Sequence, residues 1–190
     1  MPKTFVNITM SLDGFITGPD ISEQNPLGIN GELLHEWMFN KATDIDKELE
    51  KELFDTIGAV IIGNHIYTTA IDDGWRGQNP FKVPAFILAH KPIKEAVNGF
   101  TYVHDGIESA LHKAKQVAKD KDVWIMGGAN IIQQYLNAGL IDELNIHIAS
   151  ILLASGTRLF DHLNDAAQRL TKTKVVERDA AVLIKYTLFD

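Results

Sequence analysis

The stretch Val123-Trp124-Ile125-Met126-Gly127-Gly128-Ala129-Asn130 says most about how this chain folds. Its first four residues are apolar and read as a short strand buried on both faces. The strand stops at two glycines, after which Ile131, Ile132, Tyr135 and Leu136 recur at helical spacing. Strand thus gives way to helix with almost no loop between. Glycine lets backbone approach a ligand with no Cβ in the way. The helix start adds unpaired N–H groups and the positive end of the helix dipole. Together these read as an anion site suited to a pyrophosphate. A tight turn that needs a positive φ would leave the same pattern, so both readings stand at this point.

Two other junctions resemble this one. Val60-Ile61-Ile62-Gly63-Asn64-His65 again places a glycine and polar residues where a strand from Ala59 to Ile62 hands over to a helix over Asn64 to Ile71, with Asn64 as N-cap. Ligands of open α/β sheets collect at the carboxyl ends of strands, and two such ends suit an extended ligand. An ordinary capped helix is the other reading. In Ile87-Leu88-Ala89-His90-Lys91 a strand over Pro84 to Ala89 runs into two basic residues. Such cations suit a ribose 2′-phosphate, and a solvated loop is the ordinary reading of them without other support.

Residues 3–10 form a first strand leading to the turn Asp13-Gly14. A loop rich in Gly, Pro and Asn reaches Gly31, and a short helix spans Glu32 to Phe39. Ile45, Leu49, Leu53 and Ile57 recur at helical spacing, giving a helix over 43–56 with a charged outer face. Phe100 to His104 is another strand. Asp105 with Glu108 opens a helix as a capping box, and its apolar face is Ile107, Ala110, Leu111, Ala114 and Val117. Alternation returns at Leu144, Ile146 and Ile148, and from Thr171 two strands joined near Asp179 finish the chain. Strands alternating with helices, then a β tail, predict a single α/β domain over residues 1–190. Its sheet is mainly parallel, covered on both faces, with an antiparallel C-terminal edge.

Composition narrows the function. Apolar residues make up 45% and charged residues 23% of the chain, an ordinary globular balance. With no cysteine, disulfides, thiolate catalysis, iron–sulfur clusters and Cys-based zinc sites are excluded. The seven histidines are scattered, and His35-Glu36 lacks the second histidine of a zinc-protease helix, so no metal site is expected. A formal net charge of -7 disfavours nucleic acid as a partner. No run approaches ~18 apolar residues and no signal peptide is read, so a soluble cytoplasmic protein is expected. G-x-G-x-x-G, P-loop and G-x-S-x-G motifs are absent from the sequence.

Several motifs line up, in order, with one family. Thr9-Met10-Ser11-Leu12-Asp13-Gly14-Phe15-Ile16 resembles the first strand and loop of dihydrofolate reductase-like proteins. The likeness is to the reductase domain of the riboflavin-biosynthesis deaminase/reductase in particular. Val60 to His65 resembles that family's second strand and cofactor helix, and Met126 to Ala129 its Gly-Gly cofactor turn. Gly139 to Leu144 and Gly156 to Phe160 resemble the family's pattern after the cofactor-turn helix. The resemblance implies a three-layer sandwich, NADPH as hydride donor, a cis peptide between the paired glycines, and a homodimer. It places Thr9 and Ile16 near the nicotinamide. It assigns the phosphates to Gly63, Asn64 and His65 on one side and to Gly127, Gly128, Ala129, Asn130 and Ile131 on the other. His90 and Lys91 fall near the 2′-phosphate.

The substrate is implied to be a small ribosylamino-pyrimidine of the riboflavin-synthesis type, with a folate or pteridine as the alternative. A non-catalytic NADP-binding protein on the same scaffold is a further alternative. Folate reductases use a carboxylate on the first helix. Glu32 and Glu36 fall in that region, Asp13 is the remaining carboxylate nearby, and the spacing leaves the choice open. Motifs that hold a ribose phosphate in the family are not found between residues 18 and 82.

Overall fold

The computed structural model describes residues 2–22, 24–72, 74–91, 95–164 and 169–188. The chain opens with β1 (Thr4–Ser11) and β2 (Phe15–Thr17). A 3-10 turn over Gly31–His35 leads into α1 (Glu36–Phe39), then α2 (Asp44–Thr56). β3 (Ile57–Gly63), α3 (Asn64–Ala70), β4 (Ala85–Leu88) and β5 (Phe100–Val103) come after it. Next are α4 (Ile107–Ala118), β6 (Asp122–Gly127), α5 (Ala129–Asn137) and β7 (Glu143–Ala149). The short β8 (Thr157–Arg158) and the hairpin β9 (Leu170–Glu177) and β10 (Ala181–Leu188) complete the order.

Eight strands form one sheet in the order β5-β4-β3-β6-β1-β7-β10-β9. The first six in that order run parallel, while β10 is antiparallel to both β7 and β9. The predicted parallel sheet with an antiparallel C-terminal edge is therefore observed. β2 and β8 make a separate antiparallel ribbon that had no counterpart in the sequence reading. From β1 the strands β3, β4 and β5 build outward in one direction, whereas β6 inserts between β3 and β1, and β7 lies on the other side of β1. Winding reverses around β1 and β6, and such a reversal opens a crevice at the strand ends.

The central strands are buried on both faces, as β3 shows throughout its length, because each face carries its own core. Val6, Ile61, Ile125 and Ile146 pack under α4 and α5 through Ala110, Ala114, Ile132 and Tyr135. On the opposite face Phe5, Val60, Ile62 and Trp124 meet Tyr67 of α3 and an aromatic cluster with Phe81 and Phe100. No helix among the described residues is long and apolar enough to cross a membrane.

Local details correct four expectations. Gly63 is extended at φ -78 and ψ 149 and caps α3, so Asn64 is the first helical residue rather than the N-cap. Gly106, at φ 99, caps α4, which leaves Asp105 one residue outside; its carboxylate instead accepts from Ser109 Oγ at 2.7 Å. The helix expected over Glu32 to Phe39 is a 3-10 turn followed by one turn of α-helix. Finally, Ile57 does not extend the apolar stripe of α2, because the chain turns to ψ 143 there and Ile57 begins β3, fully buried. The stripe is correspondingly weak: Ile45 is 46% exposed, and Leu49 and Leu53 are half-buried. A reciprocal capping box between Thr43 and Asp46 starts α2.

Candidate functional site

The carboxyl ends of β1, β3, β4 and β6 open onto one groove of about 2180 Å³. Thr9 contributes from β1 and Gly63 from β3, followed by Asn64 and His65 on α3. His90 and Lys91 lie just past β4, and Gly128, Ala129, Asn130 and Ile131 lie where β6 becomes α5. Ile16 closes the rim from β2. These positions are separated widely in sequence, and the sheet order brings them together.

Gly127 stands just behind the groove wall, buried at φ +125, and the peptide bond to Gly128 is cis. A Cβ on Gly63 would come within 3.4 Å of the Gly127 carbonyl oxygen and of the Ile131 side chain. A Cβ on Gly128 would meet nothing within 4 Å. Gly128 therefore faces open groove immediately before the free amides of the nine-residue helix α5, a cradle that any side chain would fill. Asn64 Oδ1 is buried beside it without a partner. These are the features a dinucleotide's phosphates require, and the residues present fit the group.

The three carboxylates singled out from the sequence lie outside the groove. Asp13 accepts from Ser11 Oγ at 2.6 Å and from the backbone N–H groups of Leu153 and Ala154 at 3.1 and 2.8 Å. Those bonds, led by Ser11, lower its pKa to about 2 and fix the turn to the segment after β7. Glu36 pairs with Lys41 at 2.8 Å. Glu32 is exposed.

The groove continues beneath α2, where Leu49 and Leu53 roof a floor containing Asn7, Trp124, Asn145 and His147. The sequence reading missed this arm. Asp46 and Arg178, whose side chains are 7% and 2% exposed, form a buried ion pair there. Arg178 NH2 lies 2.9 Å from His147 Nδ1, and His147 Nε2 lies 3.0 Å from Asn7 Oδ1. Trp37 stacks on His147 at 4.7 Å between ring centroids, and the Arg178 guanidinium sits 4.4 Å over the Trp37 ring. Burial first, and then the Arg178 charge, push the His147 pKa down to about 3, so its imidazole is neutral. Burial alone would raise the Asp46 carboxyl; hydrogen bonds from Thr43 and Arg178 outweigh it and hold the group below its usual value. The signal available was the alternation in β7: Leu144, Ile146 and Ile148 mark one apolar face, which leaves Asn145 and His147 together on the other.

Sheet order, strand-end groove and glycine cradle together define the dihydrofolate reductase-like fold. The chain belongs to the RibD C-terminal domain family, which it matches over residues 2–184. The Bacillus subtilis (strain 168) protein YwjB is 25% identical over 175 residues, covering 90% of this chain and 91% of that protein. Among solved structures, Acinetobacter baumannii RibD superimposes with a TM-score of 0.68 at 18% identity, over all of this chain and 59% of that one. Enterococcus faecalis dihydrofolate reductase, complexed with NADP(H), does so at 0.64 and 15% identity, over 99% and 97% of the two chains. At such identities these likenesses concern the fold.

Proposed function

We propose that the protein is an NADPH-dependent reductase acting on a small heterocycle, of the ribosylamino-pyrimidine type used in riboflavin synthesis. The observation that carries this reading is the convergence on one groove of all the cofactor positions expected from sequence except Gly127, which backs its wall. When bound, NADPH supplies a hydride to the carbon of a polarised C=N or C=O bond. Gly128, Ala129, Asn130 and Ile131 offer backbone amides to the pyrophosphate, with Gly63, Asn64 and His65 opposite. His90 and Lys91 meet the 2′-phosphate, and Thr9 and Ile16 lie at the reacting end.

Thr9 joins the two arms of the groove, since it is the last groove-lining residue of β1 and shares a face with Asn7. A ring held beneath α2 is thereby aligned with the cofactor arm, and alignment is the protein's main contribution to such a step. His35 lines the groove, but burial lowers its pKa and keeps it neutral; water in the open arm is the proton source that fits. A homodimer, as the family resemblance implies, is part of the same proposal. Sedimentation checks it.

The test of function monitors NADPH absorbance with the ribosylamino-pyrimidine and, separately, with dihydrofolate. Turnover of the pyrimidine supports the proposal. NADPH binding with no turnover of either compound would remove the reductase assignment.

A further inference from the structure

The arm beneath α2 has polar atoms that the cofactor reading leaves unused. Asn7 and Asn145 are register partners on neighbouring parallel strands, and Trp124 lies one strand over, opposite Phe5. Asn145 is 5% exposed and its Oδ1 has no hydrogen-bond partner. Trp124 is 7% exposed and its Nε1 is likewise unpartnered. Both residues line the groove. Buried polar atoms in native proteins are nearly always satisfied, so two in one cavity wall point to a ligand.

The orientation of Asn7 is dictated by chemistry. A guanidinium only donates, so Arg178 NH2 obliges His147 Nδ1 to accept. The ring proton then sits on Nε2 and is donated to Asn7 Oδ1. Asn7 therefore turns its amide N–H groups elsewhere, and they have no partner among the described residues. Asp46 anchors the far end of this chain through Arg178. The amide donor of Asn7 and the amide oxygen of Asn145 project from register partners whose backbones lie roughly one strand spacing, 4.8 Å, apart. A ligand edge with a carbonyl beside an N–H complements that pair.

Charge on this wall is balanced. Lys3 pairs with Glu143 at 2.8 Å, Lys47 with Asp44 at 2.8 Å, and Lys185 and Lys174 share Glu52 at 3.0 and 3.7 Å. Glu50 and Asp122 on the same wall add negative charge against the lysine left over when two share one carboxylate. Nothing there among the described residues is left to neutralise a phosphate.

We propose that this arm selects the uncharged cyclic-amide edge of a planar acceptor, held by Asn7, Asn145 and Trp124, and takes that acceptor without a phosphate. The inference rests on the reductase reading, because it assigns the arm to the hydride acceptor. The experiment is calorimetric titration of the protein saturated with NADP+ against 5-amino-6-(ribosylamino)uracil and against its 5′-phosphate. The phosphate should improve affinity by less than about tenfold, ~1.4 kcal/mol. Asn145→Leu, and separately Trp124→Phe, should each weaken binding of the unphosphorylated compound by about tenfold or more while the urea melt stays cooperative. A gain of tenfold or more from the phosphate, no binding of either compound, or unchanged affinity in both variants would overturn the inference. NADP+ affinity is measured first. Its absence would remove the reductase reading alone, and the same titrations on the protein by itself would then judge the amide site.

Discussion

Replacing Gly128 with valine separates the cofactor cradle from the fold. The backbone at Gly128 is at φ -70 and ψ -164, a conformation open to any residue, and an added Cβ meets no atom within 4 Å. As the N-cap of α5, glycine is preferred over valine by about 1 kcal/mol, and that is the expected loss of stability. The new side chain would occupy the space in front of the first amides of α5. Hydrogen bonds to a charged phosphate are worth about 1.5–3 kcal/mol each. Losing two of them removes ~3–6 kcal/mol of binding, or roughly a hundred- to ten-thousandfold in Kd. Gly127→Ala makes the contrast: at φ +125 a side chain is strained whatever the space, and stability should fall by about 1–3 kcal/mol. NADPH fluorescence titration reads the first effect and urea unfolding the second. If Gly128→Val binds NADPH as the parent does while remaining folded, the phosphates do not lie on this helix start and the cradle argument fails.

Three further outcomes are expected. Lys91→Glu should weaken NADPH more than NADH in parallel titrations, because only NADPH carries the 2′-phosphate; equal losses would place that group elsewhere. His147 has a folded pKa of about 3 against 6.5 for the free side chain, so the unfolded state binds the extra proton and stability falls as pH drops below 6.5. Between pH 7 and pH 5 the loss is about 2 kcal/mol, and a urea series on His147→Gln should show this part of the slope gone. Asp46→Ala strands a guanidinium that is 2% exposed and should destabilise the protein by about 3–5 kcal/mol, whereas Asp46→Leu combined with Arg178→Met should recover most of it; a double variant no better than the single would contradict the ion-pair account.

The strand-end part of the groove was legible because its parts are local. Val60 to His65 and Val123 to Ile131 each hold a strand, a glycine and a helix start within ten residues, and the rule that ligands gather at strand ends then joins them. The arm beneath α2 was not legible, because its chain of contacts links Asn7, Asp46, His147 and Arg178 across separations of up to 140 residues. Each of those residues alone reads as an ordinary polar side chain. The helix caps misread by one residue share another cause: Gly63 and Gly106 took the cap positions, and backbone geometry outranked the side-chain preferences of Asn64 and Asp105. Glu32 and Glu36 stay outside the groove because their segment is a 3-10 turn and a single helical turn, which leaves Glu32 exposed and Glu36 bound to Lys41.

For the proposed function, a chain of net charge -7 would have to place its attraction for an anionic dinucleotide locally. The structure divides the task. Beneath α2 every lysine on the wall has a carboxylate within 4 Å and the guanidinium of Arg178 is matched by Asp46. At the strand ends, Lys91 is exposed and has no ion-pair partner among the described residues, and the α5 amides face open groove. On the two proposals, anion affinity would be confined to one arm and amide recognition to the other, with Thr9 at the boundary between them. That division has a measurable signature. Raising ionic strength should weaken NADPH binding, since exposed charge is screened within about 8–10 Å, while leaving the affinity of the amide-bearing acceptor nearly unchanged. Equal salt dependence for both ligands would mean that the two arms do not differ in charge as the ion pairs indicate.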